Sequence, residues 1–281
     1  MTAASDHALA RELACQAGQR LLELRARGGD PEALRTAGDR LSHEFLAARL
    51  AARLPADAVL SEEAADDPAR LAAARVWIVD PLDGTREFGE PGRTDWAVHV
   101  ALWERAAGDL VAGAVALPAQ RSVLSTAAAP AGEPRGRHDD VHLTTWPAPG
   151  RLGAAVADAG GGAGTPGGVR MVVSRTRAPR LARQVAARTG AELVPLGSAG
   201  AKVAAVIRGE ADAYLHSGGC YEWDTAAPVA CARAAGLHAS RIDGSPLAYN
   251  QADVLMPDIL VCRPALAAGL LQAIREAADA S

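Results

Sequence analysis

Two aspartates, Asp80 and Asp83, lie three residues apart in the stretch WIVDPLDGTREF, directly after the apolar residues 77–79. The intervening Pro81 favours a tight turn, in which both carboxylates and the backbone carbonyl of Leu82 can face one point. Carboxylate and carbonyl oxygens are the ligands that hard divalent cations prefer, and Mg²⁺ suits a site where water and phosphate complete its shell. The spacing therefore predicts part of a metal site at the end of a buried strand.

Gly84 and Thr85 follow this turn at the predicted start of a short helix, where free backbone N–H groups and the helix dipole favour an anion. Other acidic residues stand at predicted element ends, where separate parts of a chain can converge. They are Asp39, Glu62, Glu63 and Asp224. One acidic residue at a helix start is usually only a cap. Without a cation, these carboxylates would repel one another. The set therefore predicts a site in which bound metal ions hold a phosphoryl group.

The first part of the chain must position most of these residues. It predicts a helix over residues 6–27, a loop around 28–38, and a second helix that Asp39 opens and that ends before Pro55. Strands are predicted at 58–63, 76–80, 96–104 and 110–117. Helices followed by mostly consecutive strands indicate an α+β layer arrangement.

The second part alternates strands and helices. Residues 127–168 are rich in Ala, Gly and Pro, which predicts a loop or linker, and its glycine run lacks the Lys-Ser or Lys-Thr pair of a P-loop. Strands are then predicted at 169–174, 191–196, 212–216 and 258–262, and helices at 179–189, 201–209, 225–236 and 265–277. This alternation indicates an α/β layered half, so we divide the chain into residues 1–145 and 146–281.

Composition excludes several classes of protein. The 281 residues carry a net charge of -4, with no basic stretch, so a nucleic-acid polymer is not an expected partner. No apolar run is long enough to span a membrane, and the N-terminal region has amphipathic helical spacing instead of a signal peptide's pattern. The four cysteines are scattered, which predicts reduced thiols and a cytoplasmic protein. The seven histidines include no HExxH motif, so each is interpreted as a surface or core residue.

Several motifs together resemble the inositol monophosphatase-like superfamily of Mg²⁺-dependent, lithium-sensitive phosphatases. The stretches that carry the resemblance are SEEAADD, VWIVDPLDGTREF, YEWDTAAP, AGDRLSHEFL, WAVHVALW, GSAGAKVAAVIRGEADAYLHSGG and LHASRIDGSPLAYNQ. The resemblance covers nearly the whole chain and looks closest to the nucleotidase branch. It implies a layered αβαβα sandwich of the inositol monophosphatase/fructose-1,6-bisphosphatase type, and homodimers are common in the family.

The resemblance also implies roles for individual residues. The ligands of two or three Mg²⁺ ions would be Glu62, Asp80, the Leu82 carbonyl, Asp83 and Asp224. Thr85 and Asp39 would orient the attacking water, with Glu63 beside them as a further catalytic residue. Where the family has a Val-Thr pair and a lysine-bearing loop, this chain has LRTAGD, so Thr36 fits the pattern and the lysine is absent.

Substrate binding is expected to come mainly from the second half. Gly84, Thr85, Ser174, Arg175, Gly197, Ser198 and Lys202 are the predicted substrate-binding residues. Helix capping by Ser198 and a solvated surface role for the arginines, including Arg177, remain open alternatives.

The substrate branch is indicated by two further features. Ser217 stands where inositol phosphatases carry an acidic residue, seven before Asp224, and DGTREF is similar to the nucleotidase type. Both favour hydrolysis of 3′-phosphoadenosine 5′-phosphate (PAP) to give AMP in sulfate assimilation. The sulfated form, PAPS, is expected as a further substrate. The alternatives are a broader phosphatase for inositol 1-phosphate or fructose 1,6-bisphosphate, and a Mg²⁺ or nucleotide sensor without turnover.

Overall fold

The computed structural model describes residues 3–127, 142–145 and 168–279. The helices are α1 Ala3–Ala26, α2 Pro31–Arg53, α3 Thr85–Gly89, α4 Arg180–Thr189, α5 Ala199–Ile207, α6 Glu222–Ala234 and α7 Pro264–Asp279. The strands are β1 Ala58–Ser61, β2 Arg75–Asp83, β3 Ala97–Glu104, β4 Asp109–Leu117, β5 Ser122–Ser125, β6 His142–Thr145, β7 Arg170–Ser174, β8 Glu192–Leu196, β9 Ala213–Tyr221, β10 His238–Ser240 and β11 Leu255–Cys262. Within this part of the chain, no helix combines the length and apolar character needed to cross a membrane.

The strands form two mixed sheets. The first has the order β1-β2-β3-β4-β5-β6, in which β1 and β2 are parallel and the other neighbours are antiparallel. The second has the order β10-β11-β9-β7-β8, with β7 parallel to both β8 and β9. Both sheets are covered by helices on both faces, as the three apolar cores show.

Alternation along β2 explains why the first sheet is covered on both faces. Trp77 and Val79 pack with α1 and α2, whereas Val76 and Ile78 point to the opposite face and pack with α5 and α6. The second sheet contributes its own inner face to that central core, and its outer face packs against α4 and α7. The predicted αβαβα layering is therefore confirmed.

The helix carrying Asp39 begins earlier than predicted. Its first residue is Pro31, and the Asp30 carboxylate caps it by accepting from the backbone N–H groups of Glu32 and Ala33 at 3.0 and 2.9 Å. Asp39 therefore lies inside α2, not at its start, and most of the predicted loop at 28–38 is helical. The reason is the sequence Asp-Pro-Glu, which combines a capping carboxylate with proline at the first helical position.

Other differences concern short or internal segments. The strands β5 and β10 were not predicted, because three or four residues are too few for a clear alternating pattern. The predicted linker at 127–168 lies outside the described residues, apart from its two ends and β6, which pairs with β5. All four cysteines are free, as predicted.

The central helices join the two predicted halves. Both α5 and α6 come from the second half, yet α6 packs against β2, β3 and β4 of the first sheet as well as against β9, β10 and β11. Residues of the first sheet therefore complete the same core as residues of the second. The division at 145/146 remains a prediction about chain organisation.

Candidate active site

Asp80 lies at the centre of the site, inside β2 and three residues before its end. Its side chain is fully buried, and its Oδ1 accepts a hydrogen bond from the Leu82 N–H at 3.0 Å. Its Oδ2 has no hydrogen-bond partner among the residues described. The predicted tight turn around Pro81 is wrong, because β2 continues to Asp83 and only its pairing with β3 shifts register, between Asp80 and Asp83. A buried carboxylate oxygen without a partner is costly, so this geometry suits a bound cation.

Thr85 links the end of β2 to α2 by its hydroxyl contacts. Its hydroxyl lies 3.0 Å from the Leu82 carbonyl oxygen and 3.3 Å from Asp39 Oδ1. Gly38 permits this contact, because a Cβ there would lie only 2.8 Å from a ring carbon of Phe88 and 2.9 Å from Leu82 Cδ2. The close approach of α2 thus brings Asp39 to Thr85, as the predicted pairing requires.

Asp83 is held from two sides. Its Oδ2 accepts a hydrogen bond from the backbone N–H of Gly200, at the start of α5, at 3.0 Å. His99 Nε2 lies 3.3 Å from the same oxygen, and the imidazole is completely buried. The oxygens and nitrogen of Asp80, Asp83 and His99 that could bind a metal lie within 4.8 Å of one another. Sequence reasoning missed His99, although a histidine amid the apolar residues of WAVHVALW was the available signal.

Asp224 comes from α6 and is the predicted metal ligand that the second half contributes. It occupies the first turn of that helix, where its Oδ2 accepts the backbone N–H of Tyr221 at 2.6 Å. Glu62 and Glu63 lie in the turn after β1 and are exposed. Although these residues are far apart in the sequence, the charges of Asp224 and Asp83 raise the pKa of Glu62, so the three groups face a common region.

The acidic residues have raised pKa values. Partial removal from water, followed by the charges of Asp224 and Asp83, raises the pKa of Glu62 to about 8. Burial, followed by the charge of Asp83, raises the pKa of Asp224 to about 7. Burial and the charges of Glu62 and Asp83 raise the pKa of Asp80 well above its usual value. Mutual repulsion of this kind is what a divalent cation relieves.

Asp39 lies at the edge of this field. Its pKa is raised to about 6, mainly by burial and then by the charge of Glu63, while the hydrogen bond from Thr85 opposes the shift. The carboxylate is therefore ionised near pH 7 but more basic than an ordinary aspartate, which suits a proton acceptor.

Three of the predicted substrate-binding residues lie at the junction of β8 and α5, namely Gly197, Ser198 and Lys202. Ser198 caps α5, since its Oγ accepts from the Ala201 N–H at 2.8 Å, and the Gly197 N–H donates to Asp95 Oδ2 at 2.7 Å. The Lys202 ammonium is buried and donates to the Gly197 carbonyl. Burial lowers the pKa of Lys202, while the charges of Asp83 and Asp224 oppose that shift. Its positive charge therefore acts on the acidic cluster.

The other predicted substrate-binding residues lie at the end of β7. Arg175 pairs with Glu87 at 2.8 Å and with Glu90 at 2.7 Å, and Ser174 Oγ accepts the Arg177 N–H at 3.3 Å. The guanidinium already has two carboxylate partners, so a phosphate would have to compete with them. A substrate-binding role for these residues remains a prediction.

Tyr221 is an aromatic residue that the sequence reasoning did not single out. Its ring stacks on the indole of Trp223, with centroids 4.8 Å apart and an interplanar angle of 13°. Tyr221 is 46 % exposed, and Leu255, its cross-strand neighbour, is 49 % exposed. A partly exposed aromatic residue thus adjoins Asp224 through its backbone N–H.

The donor set fits Mg²⁺ or a similar divalent cation. The residues combine several carboxylates with a backbone carbonyl, and they include a buried carboxylate oxygen that lacks a partner. Oxygen ligands of this kind are the ones that Mg²⁺ prefers. The number of ions and the preference for Mg²⁺ remain predictions.

Comparisons with known proteins agree with this arrangement. The sequence model of the inositol monophosphatase family matches residues 3–279. A 3′-phosphoadenosine 5′-phosphate phosphatase of Mycobacterium leprae is 48 % identical over 281 residues, covering 97 % of this chain and 94 % of the relative. The protein with the same description in Mycobacterium tuberculosis is 49 % identical over 266 residues, covering 93 % and 90 %. Among solved structures, CysQ from Bacteroides thetaiotaomicron has a TM-score of 0.72 and 29 % identity, covering 92 % of this chain and 97 % of that one.

Proposed function

This chain belongs to the inositol monophosphatase family, and from that premise we propose that it is a Mg²⁺-dependent phosphomonoesterase that removes the 3′-phosphate of PAP to give AMP. In these terms it is a 3′(2′),5′-bisphosphate nucleotidase, and PAPS is a further candidate substrate. The observation that carries the proposal is the meeting of carboxylates from both halves of the chain around the partnerless Asp80 Oδ2. A cytoplasmic role in sulfate assimilation, with the chain as a homodimer, belongs to the same proposal.

The residues that would hold the metal are those that surround Asp80. They are Glu62, Asp80, the Leu82 carbonyl, Asp83 and Asp224. Bound Mg²⁺ would supply positive charge that neutralises the phosphoryl group and the leaving oxygen. The backbone N–H of Gly200 in α5 holds Asp83 by a hydrogen bond, and the charges of Lys202 and Asp83 act on each other.

Thr85 and Asp39 would orient the attacking water. The Thr85 hydroxyl has one hydrogen and two acceptors, Leu82 O at 3.0 Å and Asp39 Oδ1 at 3.3 Å, so its lone pairs remain free to accept a hydrogen bond from water. Asp39, with its pKa raised to about 6, is ionised near pH 7 and can take up a proton. Direct attack by water then requires no covalent intermediate.

A nucleotide fits this site better than a simple sugar phosphate. Tyr221 is partly exposed and its backbone N–H contacts Asp224, and aromatic rings stabilise nucleobases by stacking. Inositol 1-phosphate and fructose 1,6-bisphosphate have no flat base to place there. They remain candidate secondary substrates because the metal-binding residues act on the phosphate alone.

The direct test compares phosphate release from PAP, inositol 1-phosphate and fructose 1,6-bisphosphate, with Mg²⁺ and with EDTA. We expect the highest kcat/KM for PAP, only with Mg²⁺. Asp80→Asn and Asp83→Asn should each reduce this activity by far more than tenfold, whereas Glu276→Gln on the exposed part of α7 should leave it unchanged. Turnover within tenfold of the parent for both aspartate variants would refute the metal site. Binding of PAP without phosphate release would instead support the sensor alternative.

A further inference from the structure

His99 occupies a place in the acidic cluster that its histidine chemistry can use. It lies on β3 directly opposite Asp80, and side chains of such cross-strand pairs lie on the same face. Its ring is completely buried, and Gly200 packs against it so closely that a Cβ there would lie 2.3 Å from Nε2. The ring is therefore held in one position beside Asp80 and Asp83.

The orientation of the ring is set by its other nitrogen. His99 Nδ1 lies 3.2 Å from the backbone carbonyl oxygen of Trp223. A carbonyl can only accept, so Nδ1 must carry the proton, and in a neutral imidazole Nε2 then presents a lone pair. A histidine whose Nδ1–H donates to a backbone carbonyl while Nε2 stays free has the usual arrangement of a metal ligand.

Nε2 has no hydrogen-bond partner among the described residues, and neither has Asp80 Oδ2. Both atoms are fully buried, and both belong to the group whose ligand atoms lie within 4.8 Å of one another. Nε2 also lies 3.3 Å from Asp83 Oδ2, whose carboxylate can only accept when ionised. A cation bound by all three residues would supply the partner that Nε2 and Asp80 Oδ2 lack.

Building on the proposed function, we propose that His99 Nε2 is itself a ligand of the active-site metal, together with Asp80 and Asp83. The site then has a mixed nitrogen and oxygen donor set. Imidazole favours transition ions over Mg²⁺, and affinities rise along the first-row series. The protein should therefore bind Mn²⁺ more tightly than Mg²⁺, and His99 should contribute to that difference.

The test detects the nitrogen directly. The purified full-length protein is loaded with Mn²⁺, and electron spin-echo envelope modulation is recorded with natural histidine and with histidine labelled with ¹⁵N. We expect ¹⁴N modulation that changes to ¹⁵N modulation on labelling and disappears in His99→Asn. His238→Asn is the matched control, because His238 contacts Ser240 in β10, and its modulation should equal that of the parent. Titration should show Mn²⁺ binding weakened at least about tenfold in His99→Asn, with a smaller change for Mg²⁺.

The parent protein alone can overturn the proposal, so it does not depend on the stability of the variant. Mn²⁺ bound without histidine modulation would show that His99 only positions Asp83, while the proposed phosphatase activity would stand. Modulation that persists in His99→Asn would assign the signal to another histidine. No Mn²⁺ binding at all, together with no Mg²⁺-dependent phosphate release, would refute both this proposal and the proposed function.

Discussion

The backbone of Tyr221 and the carboxylate of Asp224 are joined by one hydrogen bond, from the Tyr221 N–H to Asp224 Oδ2 at 2.6 Å. The backbone of Tyr221 therefore helps to orient a proposed metal ligand, while its side chain stacks on Trp223 and Tyr221 remains nearly half exposed. The two roles use different atoms. Substitution of the side chain can separate them, because the backbone contact does not depend on the ring.

Replacing Tyr221 by alanine should weaken the binding of a nucleotide and spare that of a sugar phosphate. Loss of one base–aromatic stack should raise the KM for PAP roughly tenfold. Tyr221→Phe keeps the ring and should behave as the parent. Steady-state kinetics with PAP and inositol 1-phosphate would measure this. An equal loss with both substrates in Tyr221→Ala would show that the residue acts only through Asp224.

Local spacing was enough to single out Asp80 and Asp83 as candidate metal ligands but not to predict their surroundings. These two aspartates are recognisable because the segment that carries them is contiguous in sequence. His99 was missed because its importance depends on the register of β3 against β2, which the sequence does not state. For Lys202 and Arg175, only the charge could be predicted, because their partners, the Gly197 carbonyl and Glu87, depend on the fold.

Among the elements, the start of α6 is fixed by a buried polar network. Arg70 is 1 % exposed and donates to Asn250 Oδ1 at 2.7 Å and to the Gln251 carbonyl at 2.8 Å. The backbone N–H groups of Asn250 and Gln251 in turn donate to the Glu222 carboxylate at 2.6 and 2.7 Å. Glu222 is the first residue of α6, so the network connects the segment after Glu62 to the helix that carries Asp224.

Removing the charge of Arg70 should destabilise this connection. Arg70→Met leaves buried acceptors and the Glu222 carboxylate without their cation, and breaking a buried charged network typically costs about 3–5 kcal/mol. We expect a fall of that order in the free energy of unfolding and weaker Mg²⁺ binding, measured by urea denaturation and by titration. Arg183→Met, at an exposed position of α4, is the control and should change stability by less than about 0.5 kcal/mol. A stable Arg70→Met protein with normal Mg²⁺ affinity would contradict the role of this network.

Element boundaries were predictable where capping was recognised and wrong where it was not. The α/β alternation of the second half was predicted from the period of its apolar residues, and the helices α4 and α7 follow that prediction closely. The start of α2 was placed eight residues late because the cap at Asp30 was not recognised. Asp39 nevertheless reaches Thr85, since the packing of Gly38 against Phe88, and not a helix start, determines its position.

On the scale of the whole molecule, the site brings mutually repelling carboxylates of the first sheet and of the central helix layer together. Glu62, Asp80 and Asp83 come from the first sheet and its connections, and Asp224 comes from the helix layer between the sheets. The raised pKa values of Glu62, Asp80 and Asp224 mean that the folded protein holds protons that the unfolded chain would release. A bound metal ion would replace those protons and join the two layers.

The metal-free protein should therefore lose stability as the pH rises. The pKa of Glu62 increases from 4.5 to about 8 on folding, and that of Asp224 from 3.8 to about 7. The folded state binds more protons between these values, so the stability that this contributes is complete below about pH 4 and is lost as the pH approaches 8. Mg²⁺ binds the ionised carboxylates, so its stabilising effect should be larger at pH 8 than at pH 6.

Melting temperatures in EDTA and in Mg²⁺ at the two pH values measure this. Asp224→Asn removes one titrating group and should reduce both the pH dependence in EDTA and the gain from Mg²⁺. If the melting temperature in EDTA rose from pH 6 to pH 8 equally in the parent and in this variant, the acidic cluster would not be the origin of the pH dependence.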